Sequence, residues 1–181
     1  MSSLPRTLNV RGETVQLRLL NSGDRDAILA FARGLPQEDL TFLRIDITDP
    51  EVVDRWIASV EAGVRTTVVA TVDGEIVGYG SLNRNELDWF RHLGEIRVIV
   101  GTSVRRLGLG GVLAHEIFTV AKESGLRKVI AQMAREQMGA QRMFEAIGFS
   151  AEALLSDWVI DPKDVTHDLL IMSYDVTGFS G

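Results

Sequence analysis

The stretch from Gly94 to Gly111 constrains the fold of this chain most, because it joins a strand pattern to a glycine-rich turn and a helix. Residues 95–100 form an apolar run typical of a strand, and a cluster of glycines follows near the end of the stretch. A glycine turn that opens a helix leaves backbone N–H groups without intrahelical partners. The stretch therefore predicts an anion site, to which the neighbouring Arg105 and Arg106 add positive charge.

The rest of the chain shows the periodicity of a single α+β domain. Apolar runs predict strands over residues 14–20, 65–72, 75–82, 128–134, 151–160 and 167–176. Apolar residues at helical spacing predict helices over residues 26–33, 109–124 and 138–147, and one that starts at Pro50 and ends at Gly63. The Asp73-Gly74 pair predicts a hairpin turn, whereas residues 37–47 fit either a short helix or an irregular segment.

Together these elements predict a mixed, mostly antiparallel sheet of about six to seven strands with helices on both faces. The strand over residues 128–134 should run parallel to that over 95–100, because the helix between them is long enough to make the crossover. We expect residues 1–13 to be an irregular lead-in, residues 14–176 to form the domain, and residues 177–181 to be a tail.

Composition excludes several classes of function. The chain has 181 residues, no cysteine and a net charge of −6. Without cysteine it has no disulfide, zinc-thiolate site or thiol nucleophile, which is compatible with a reducing cytosol. The negative charge argues against nucleic acid as a partner, and no apolar window is long enough to span a membrane. We therefore expect a cytoplasmic protein without signal peptide, membrane partner, nucleic-acid partner or metal.

The glycine cluster admits three interpretations when taken alone. A nucleotide P-loop requires Lys and then Ser or Thr after the last glycine, but here Val112 follows. A dinucleotide fingerprint requires a third glycine where the chain has Leu113, and a run of βαβ units that the element order does not provide. A turn that binds no ligand stays open as the third interpretation.

Two motifs in the correct order carry a family resemblance. The motif Arg105-x-x-Gly-x-Gly110, between an apolar strand and a helix, resembles the acyl-CoA pyrophosphate loop of the GNAT superfamily of acyl-CoA-dependent N-acyltransferases. The later motif Gln137-x-x-Ala-x-x-Met-Phe-Glu-x-x-Gly-Phe149 resembles the family's Asn-x-x-Ala-x-x-Leu-Tyr-x-x-x-Gly-Phe. The ending over residues 168–172 resembles the family's last strand. The resemblance covers about residues 14–176 and implies a GNAT-like fold.

The resemblance also implies acetyl-CoA, or another acyl-CoA, as co-substrate. Backbone amides around residues 106–111 would bind the pyrophosphate with help from the helix dipole, and the pantetheine arm would lie along a bulged, splayed strand at residues 98–100. The cofactor-binding residues that it implies are Val98, Ile99, Val100, Arg105, Arg106, Leu107, Gly108, Leu109, Gly110, Gly111, Gln137 and Phe144.

Glu95 is the catalytic candidate. Acyl transfer from a thioester to an amine needs a deprotonated amine, a polarised carbonyl and protonation of the leaving thiolate. Glu95 opens the central strand ten residues before Arg105, where many superfamily members carry a general base. Strand alternation also places Glu95 on the face of Arg97, so a solvated carboxylate or an ion pair with Arg97 is the alternative.

The later motif departs from the family pattern at two positions. The usual Asn is Gln137, whose longer amide can still donate to cofactor or acceptor. The usual Tyr, commonly the general acid for the leaving thiolate, is Phe144, which has no proton to give. We expect Phe144 to pack beside the pantetheine arm and water to protonate the thiolate, since a free thiol has a pKa near 8.5. A catalytically silent acyl-CoA-binding module is therefore an alternative function.

The acceptor is the part that the sequence defines least. Trp89 and His92, in the loop before Glu95, are acceptor-side candidates, with core packing or a dimer contact as the alternative and His92 as a second candidate base. Residues 15–45 loosely resemble the start of bacterial GNAT domains that acetylate protein lysines, and a small amine is the other acceptor class. The edge offered by the last two strands permits a homodimer.

Overall fold

The computed structural model describes residues 4–84 and 88–177, and within them eight strands form one sheet in the order β1-β2-β3-β4-β5-β6-β8-β7. The strands are β1 (Arg6–Val10), β2 (Glu13–Leu19), β3 (Arg65–Val72), β4 (Glu75–Arg84), β5 (Leu93–Val100), β6 (Lys128–Ala134), β7 (Ser150–Ile160) and β8 (Thr166–Asp175). The helices are α1 (Arg25–Arg33), α2 (Gln37–Thr41), α3 (Pro50–Glu61), α4 (Leu109–Glu123) and α5 (Met138–Ala146).

Local sequence signals account for the element boundaries. The β3–β4 hairpin turns at Asp73 and Gly74, both with positive φ (49° and 86°), as a tight two-residue turn requires. Asp49 caps α3 by accepting a hydrogen bond from the Glu51 N–H at 2.8 Å, and Pro50 occupies the first helical position. The ambiguous segment over residues 37–47 contains the short helix α2 and then an irregular stretch.

Helices cover both faces of the sheet, which confirms that prediction. On one face α4 buries Leu113 and Ile117 against the sheet, together with Phe144 of α5. On the other face α1 and α3 bury a second cluster that includes Trp56 and the strand residue Tyr79. The helix α4 makes the crossover between β5 and β6, and these two strands are parallel as predicted, whereas all other neighbouring strands are antiparallel. Within the described residues, no helix is long and apolar enough to cross a membrane.

The prediction that residues 1–13 form an irregular lead-in is wrong for residues 6–10, which form β1. This strand pairs with β2 through a two-residue turn at Arg11 and Gly12, both of positive φ (50° and 97°). Burial of Val10 and an ion pair between Arg6 and the buried Glu116 of α4 hold the strand in place. The sheet therefore has one strand more than the upper estimate, because a five-residue strand carries too short an alternation to stand out.

Candidate active site

The centre of the sheet is split between β5 and β6. These strands pair only from Leu93 to Glu95 on β5, whose partners are Lys128 to Ile130 on β6. Beyond Glu95, β5 stays paired with β4 as far as Val100, and β6 stays paired with β8. Residues 96–100 therefore have backbone groups on the β6 side that no strand neighbour binds. The splay expected at residues 98–100 is present, but the expected bulge is not, because β5 keeps an unbroken register with β4.

A cavity of about 850 Å³, here called the gap cavity, occupies this split. Its lining includes the predicted residues Val98, Ile99, Val100, Arg105, Gly108, Gly110, Gly111, Gln137 and Phe144. Leu109 instead lies in the core with no exposed surface, and Leu107 packs against that core. The side chain of Arg106 lies outside the described part of the chain. The structure thus brings most of the residues implied by the two motifs to one cavity.

The glycine turn shapes the end of the gap cavity nearest α4. Gly108 caps the helix in a left-handed conformation (φ 83°), which favours glycine because a Cβ atom would be strained there. Gly110 lies in the first turn, where a Cβ atom would stand 3.1 Å from the Met143 sulfur. The first N–H groups of an α-helix have no intrahelical partner, so this end offers hydrogen-bond donors and the positive end of the helix dipole.

Residues 37–45, here called the cover segment, cross the gap cavity. Asp39 lies at one end of the crossing and forms an ion pair with Arg105 beside the glycine turn. Arg44 lies at the other end and bridges the split, donating to Glu95 Oε2 at 2.6 Å and to Gln132 Oε1 at 2.7 Å. Sequence reasoning missed all three of these contacts of the cover segment, although it had singled out Arg105 and Glu95 themselves.

Glu95 stands at the last paired position before the strands diverge. Its side chain is 14% exposed, and its Oε1 atom accepts a hydrogen bond from Arg97 Nη2 at 3.0 Å. With Arg44 bound at Oε2, both carboxylate oxygens accept guanidinium hydrogen bonds. The ion pair with Arg97 that the sequence allowed is therefore present, and the carboxylate also borders the split at which an acyl group would arrive.

The two positions that depart from the family motif have structural roles. Gln137 precedes α5, and its Oε1 atom accepts a hydrogen bond from the backbone N–H of Ala134 at 2.9 Å, which fixes the end of β6. Phe144 is buried to 4% exposure and its ring lies 5.1 Å from that of Phe149. Both residues still line the gap cavity.

The acceptor-side candidates lie away from the split. Trp89 belongs to the short turn Asp88–Phe90, and 83% of its surface is exposed. His92 lines a different cavity, together with Lys128 at the start of β6 and Glu152 on β7. The structure does not bring either residue into the lining of the gap cavity.

A second cavity, here called the side cavity, lies on the face of the sheet covered by α3. It has a volume of about 290 Å³ and shares Leu43 and Arg97 with the gap cavity. The remaining lining comes from Arg44, Ile45, Trp56, Ser59, Val64, Arg65, Tyr79, Ser81, Asn83, Arg84 and Glu95. Burial raises the pKa of Tyr79 to about 12, so its hydroxyl stays protonated and can donate a hydrogen bond. No sequence signal placed these residues together, because they come from the cover segment, α3 and three separate strands.

His167 packs against Phe42 of the cover segment. Its ring packs edge-on against Phe42 at 5.2 Å between centroids, and its nitrogens lie 3.2 Å from Asp161 Oδ2 and 3.3 Å from Glu136 Oε1. The hydrogen bond with Asp161, followed by that with Glu136, raises the pKa of the imidazole above its ordinary value of 6.5. The protonated ring thus bridges two carboxylates next to the gap cavity.

This bridge predicts a pH dependence of stability. Because folding raises the pKa of His167, the interactions of its protonated ring stabilise the folded protein fully below pH 6.5. This stabilisation is lost as the pH rises through the folded-state pKa of His167. An NMR titration should place this pKa above 6.5, and Asp161→Asn should lower it. Asp164→Asn, in the same turn, should leave it unchanged. A His167 ring that titrates at or below pH 6.5 would contradict the bridge.

Comparison with known proteins decides the family. Residues 29–149 match the model of the Acetyltransferase (GNAT) family. The chain belongs to this family. The match confirms the resemblance drawn from the two motifs, and GNAT acetyltransferases take acetyl-CoA as co-substrate. Within the described residues, no group of three or more acidic or histidine side chains could hold a metal ion.

Solved structures agree with the GNAT fold. A ribosomal-protein-alanine N-acetyltransferase from Brucella melitensis is 24% identical, with a TM-score of 0.77 over 88% of this chain and 98% of that one. A putative acetyltransferase from Salmonella typhimurium, solved with acetyl-CoA, is 19% identical, with a TM-score of 0.80 over 92% and 96% of the two chains. A GNAT acetyltransferase from Streptococcus pneumoniae is also 19% identical, with a TM-score of 0.77 over 89% and 99%.

Proposed function

We propose that this GNAT chain is an N-acetyltransferase that moves an acetyl group from acetyl-CoA to a primary amine by direct attack. The observation that carries the proposal is the gap cavity, which joins a helix N-terminus to unpaired strand backbone at residues 96–100. The helix N-terminus provides hydrogen-bond donors for a pyrophosphate. The unpaired strand backbone provides partners for the amides of an extended pantetheine arm. The two halves of an acyl-CoA molecule thus meet complementary groups along one cavity.

Glu95 is proposed as the general base. The amine nitrogen attacks the thioester carbonyl carbon, the C–S bond breaks, and the sulfur leaves with the electron pair as a thiolate. Glu95 takes the proton that the ammonium group must lose, directly or through one water. Phe144 has no proton to supply, so solvent water protonates the thiolate, which is a good leaving group in itself.

Arg105 is proposed to switch partners when the cofactor binds. Its guanidinium forms an ion pair with Asp39 and its Nε donates to the Val100 carbonyl at 3.3 Å. A pyrophosphate at the glycine turn offers this guanidinium a more highly charged partner, and that exchange would loosen the cover segment. Asp39 therefore holds the arginine in place until the cofactor arrives.

The proposal is tested by calorimetry with acetyl-CoA and by thiol release from acetyl-CoA across a panel of amines, peptides and proteins. We expect micromolar binding, in the usual range of enzyme substrates, and thiol release that depends on an amine. Absence of acetyl-CoA binding would overturn the proposal.

A catalytically silent acyl-CoA-binding module is the second candidate, because Phe144 replaces the family's tyrosine and two arginines occupy the Glu95 oxygens. Binding without thiol release for any amine would favour it.

We also propose that the protein forms a homodimer and is located in the cytoplasm. The strand β7 lies at the edge of the sheet and exposes Leu154, Trp158 and Ile160, so it is the surface that we propose for the predicted homodimer. A cytoplasmic location is proposed from the composition, because a chain without cysteine needs no oxidising compartment to fold.

A further inference from the structure

The side cavity is placed to hold the acceptor amine. It opens beside Glu95 and meets the gap cavity at Arg97 and Leu43, which line both. A molecule in the side cavity can therefore reach the split between β5 and β6 from the face opposite α4. This inference rests on the proposed function, since it takes the gap cavity as the acetyl-CoA site.

The charges of the side cavity favour an anionic ligand. Arg44 and Arg97 share the single carboxylate of Glu95. Arg65 is half-buried in the same wall and, among the described residues, forms no ion pair with a carboxylate. Burial is the largest effect and lowers the pKa of Arg65, and the opposing effects of Tyr79 and Glu95 offset it only in part.

The guanidinium of Arg65 is held in place by the ring of Trp56. Its guanidinium carbon lies 5.8 Å from the centroid of the Trp56 ring, within the range of a cation–π contact. Trp56 is itself fixed, because it is buried to 3% exposure and its indole N–H donates to Thr67 Oγ1 at 3.2 Å. The arginine therefore gives up little conformational freedom when it binds an anion.

An unsatisfied amide gives a second, independent indication of a ligand. The Oδ1 atom of Asn83 is buried and has no hydrogen-bond partner among the described residues. Asn83 lies in register with Arg65 on β3 and with Glu95 on β5, so all three occupy one row across the sheet. A buried acceptor left without a donor is costly, and an N–H group of a ligand in the side cavity would remove that cost.

We propose that the acceptor is a small amine that carries a carboxylate, such as an amino acid, and that Arg65 and Arg97 bind this carboxylate. The N–H donors of Arg65 and those of Arg97 not used by Glu95 provide the charge-assisted contacts. The Asn83 Oδ1 atom accepts a hydrogen bond from an N–H group of the same molecule. A volume of about 290 Å³ lies at the lower end of ligand pockets and suits a single small molecule.

The test compares L-amino acids with the corresponding L-amino acid amides as acceptors, measured by thiol release from acetyl-CoA. The two series share the side chain and the position of the amine, and the amide removes the negative charge of the carboxylate. The proposal predicts that kcat/KM of the best amino acid exceeds that of its amide at least tenfold. Arg65→Gln should raise the KM of the amino acid at least tenfold and bring the acid-to-amide ratio close to one, with the dissociation constant of acetyl-CoA unchanged.

Two further variants separate specificity from folding. Arg65→Lys keeps the charge and should restore part of the preference for the acid, whereas Arg33→Gln, at the exposed end of α1, should leave the preference unchanged. Equal turnover of acids and amides, turnover of peptide lysines alone, or acetyl-CoA binding without turnover of any amino acid would each overturn the proposal. Failure to bind acetyl-CoA in calorimetry would instead overturn the proposed function, so the two failures are distinguishable.

Discussion

Replacement of Glu95 by Gln should lower kcat by a factor of about 10² to 10⁴, the usual contribution of a general base. Glutamine has nearly the same shape as glutamate and can still accept one hydrogen bond, but it cannot take the ammonium proton at neutral pH. The residue borders the split at the last β5–β6 pair, where the proposed mechanism places the reacting groups. Thiol release under saturating acetyl-CoA and acceptor measures the effect.

The matched control for this prediction is Glu61→Gln, at the exposed C-terminal end of α3. It removes one carboxylate from the chain and should leave kcat unchanged. The dissociation constant of acetyl-CoA, measured by calorimetry, should be the same in wild type and in Glu95→Gln, because Glu95 is not in the lining of the gap cavity. A kcat in Glu95→Gln within twofold of the wild-type value would remove Glu95 from the role of base.

The two arginines on Glu95 are held differently, and this difference is compatible with the proposed role of Glu95 as a base. Arg97 is mostly buried beside the carboxylate, with 18% of its side chain exposed. Arg44 comes from the cover segment and is 56% exposed, so its ion pair with Glu95 contributes little to stability and is readily exchanged. An arriving amine can take the place of Arg44 at Oε2, while Arg97 keeps the carboxylate in position.

The framework of the site could be predicted because its signals are local in sequence. The turn at Asp73-Gly74, the cap at Asp49 and the glycines after β5 each specify a backbone conformation within a few residues. The parallel pairing of β5 and β6 followed from the length of the helix between them. Both motifs of the gap cavity lie on such framework elements, so most of the predicted cofactor-binding residues are found in its lining.

The polar contacts of the cover segment could not be predicted, because they join residues distant in sequence. Arg105 is 66 positions from Asp39, and Arg44 is 51 positions from Glu95 and 88 from Gln132. Hydrophobic periodicity reports which face of an element is buried and carries no information on such pairs. The grouping of Arg65, Asn83 and Glu95 likewise depends on the register of three strands, which the sequence alone does not fix.

Replacement of Gly110 by Val should raise the dissociation constant of acetyl-CoA about 100-fold, the result of losing two charge-assisted hydrogen bonds. Gly110 lies in the first turn of α4 and lines the gap cavity between Val100 and Met143. A Cβ atom there stands 3.6 Å from Val100 Cγ2 and 3.1 Å from the Met143 sulfur, so a valine side chain would fill space between these two cavity-lining residues. This side chain would keep a pyrophosphate away from the helix N–H groups.

Calorimetry with acetyl-CoA measures this change, and thermal unfolding of the same sample shows whether the variant is folded. Gly34→Ala, at the exposed C-terminal end of α1, is the control and should bind acetyl-CoA like the wild type. A pyrophosphate bound mainly by the side chain of Arg105 would respond differently, because Arg105→Gln would then weaken binding more than Gly110→Val. Equal affinity in wild type and Gly110→Val would contradict the placement of the pyrophosphate at the first turn of α4.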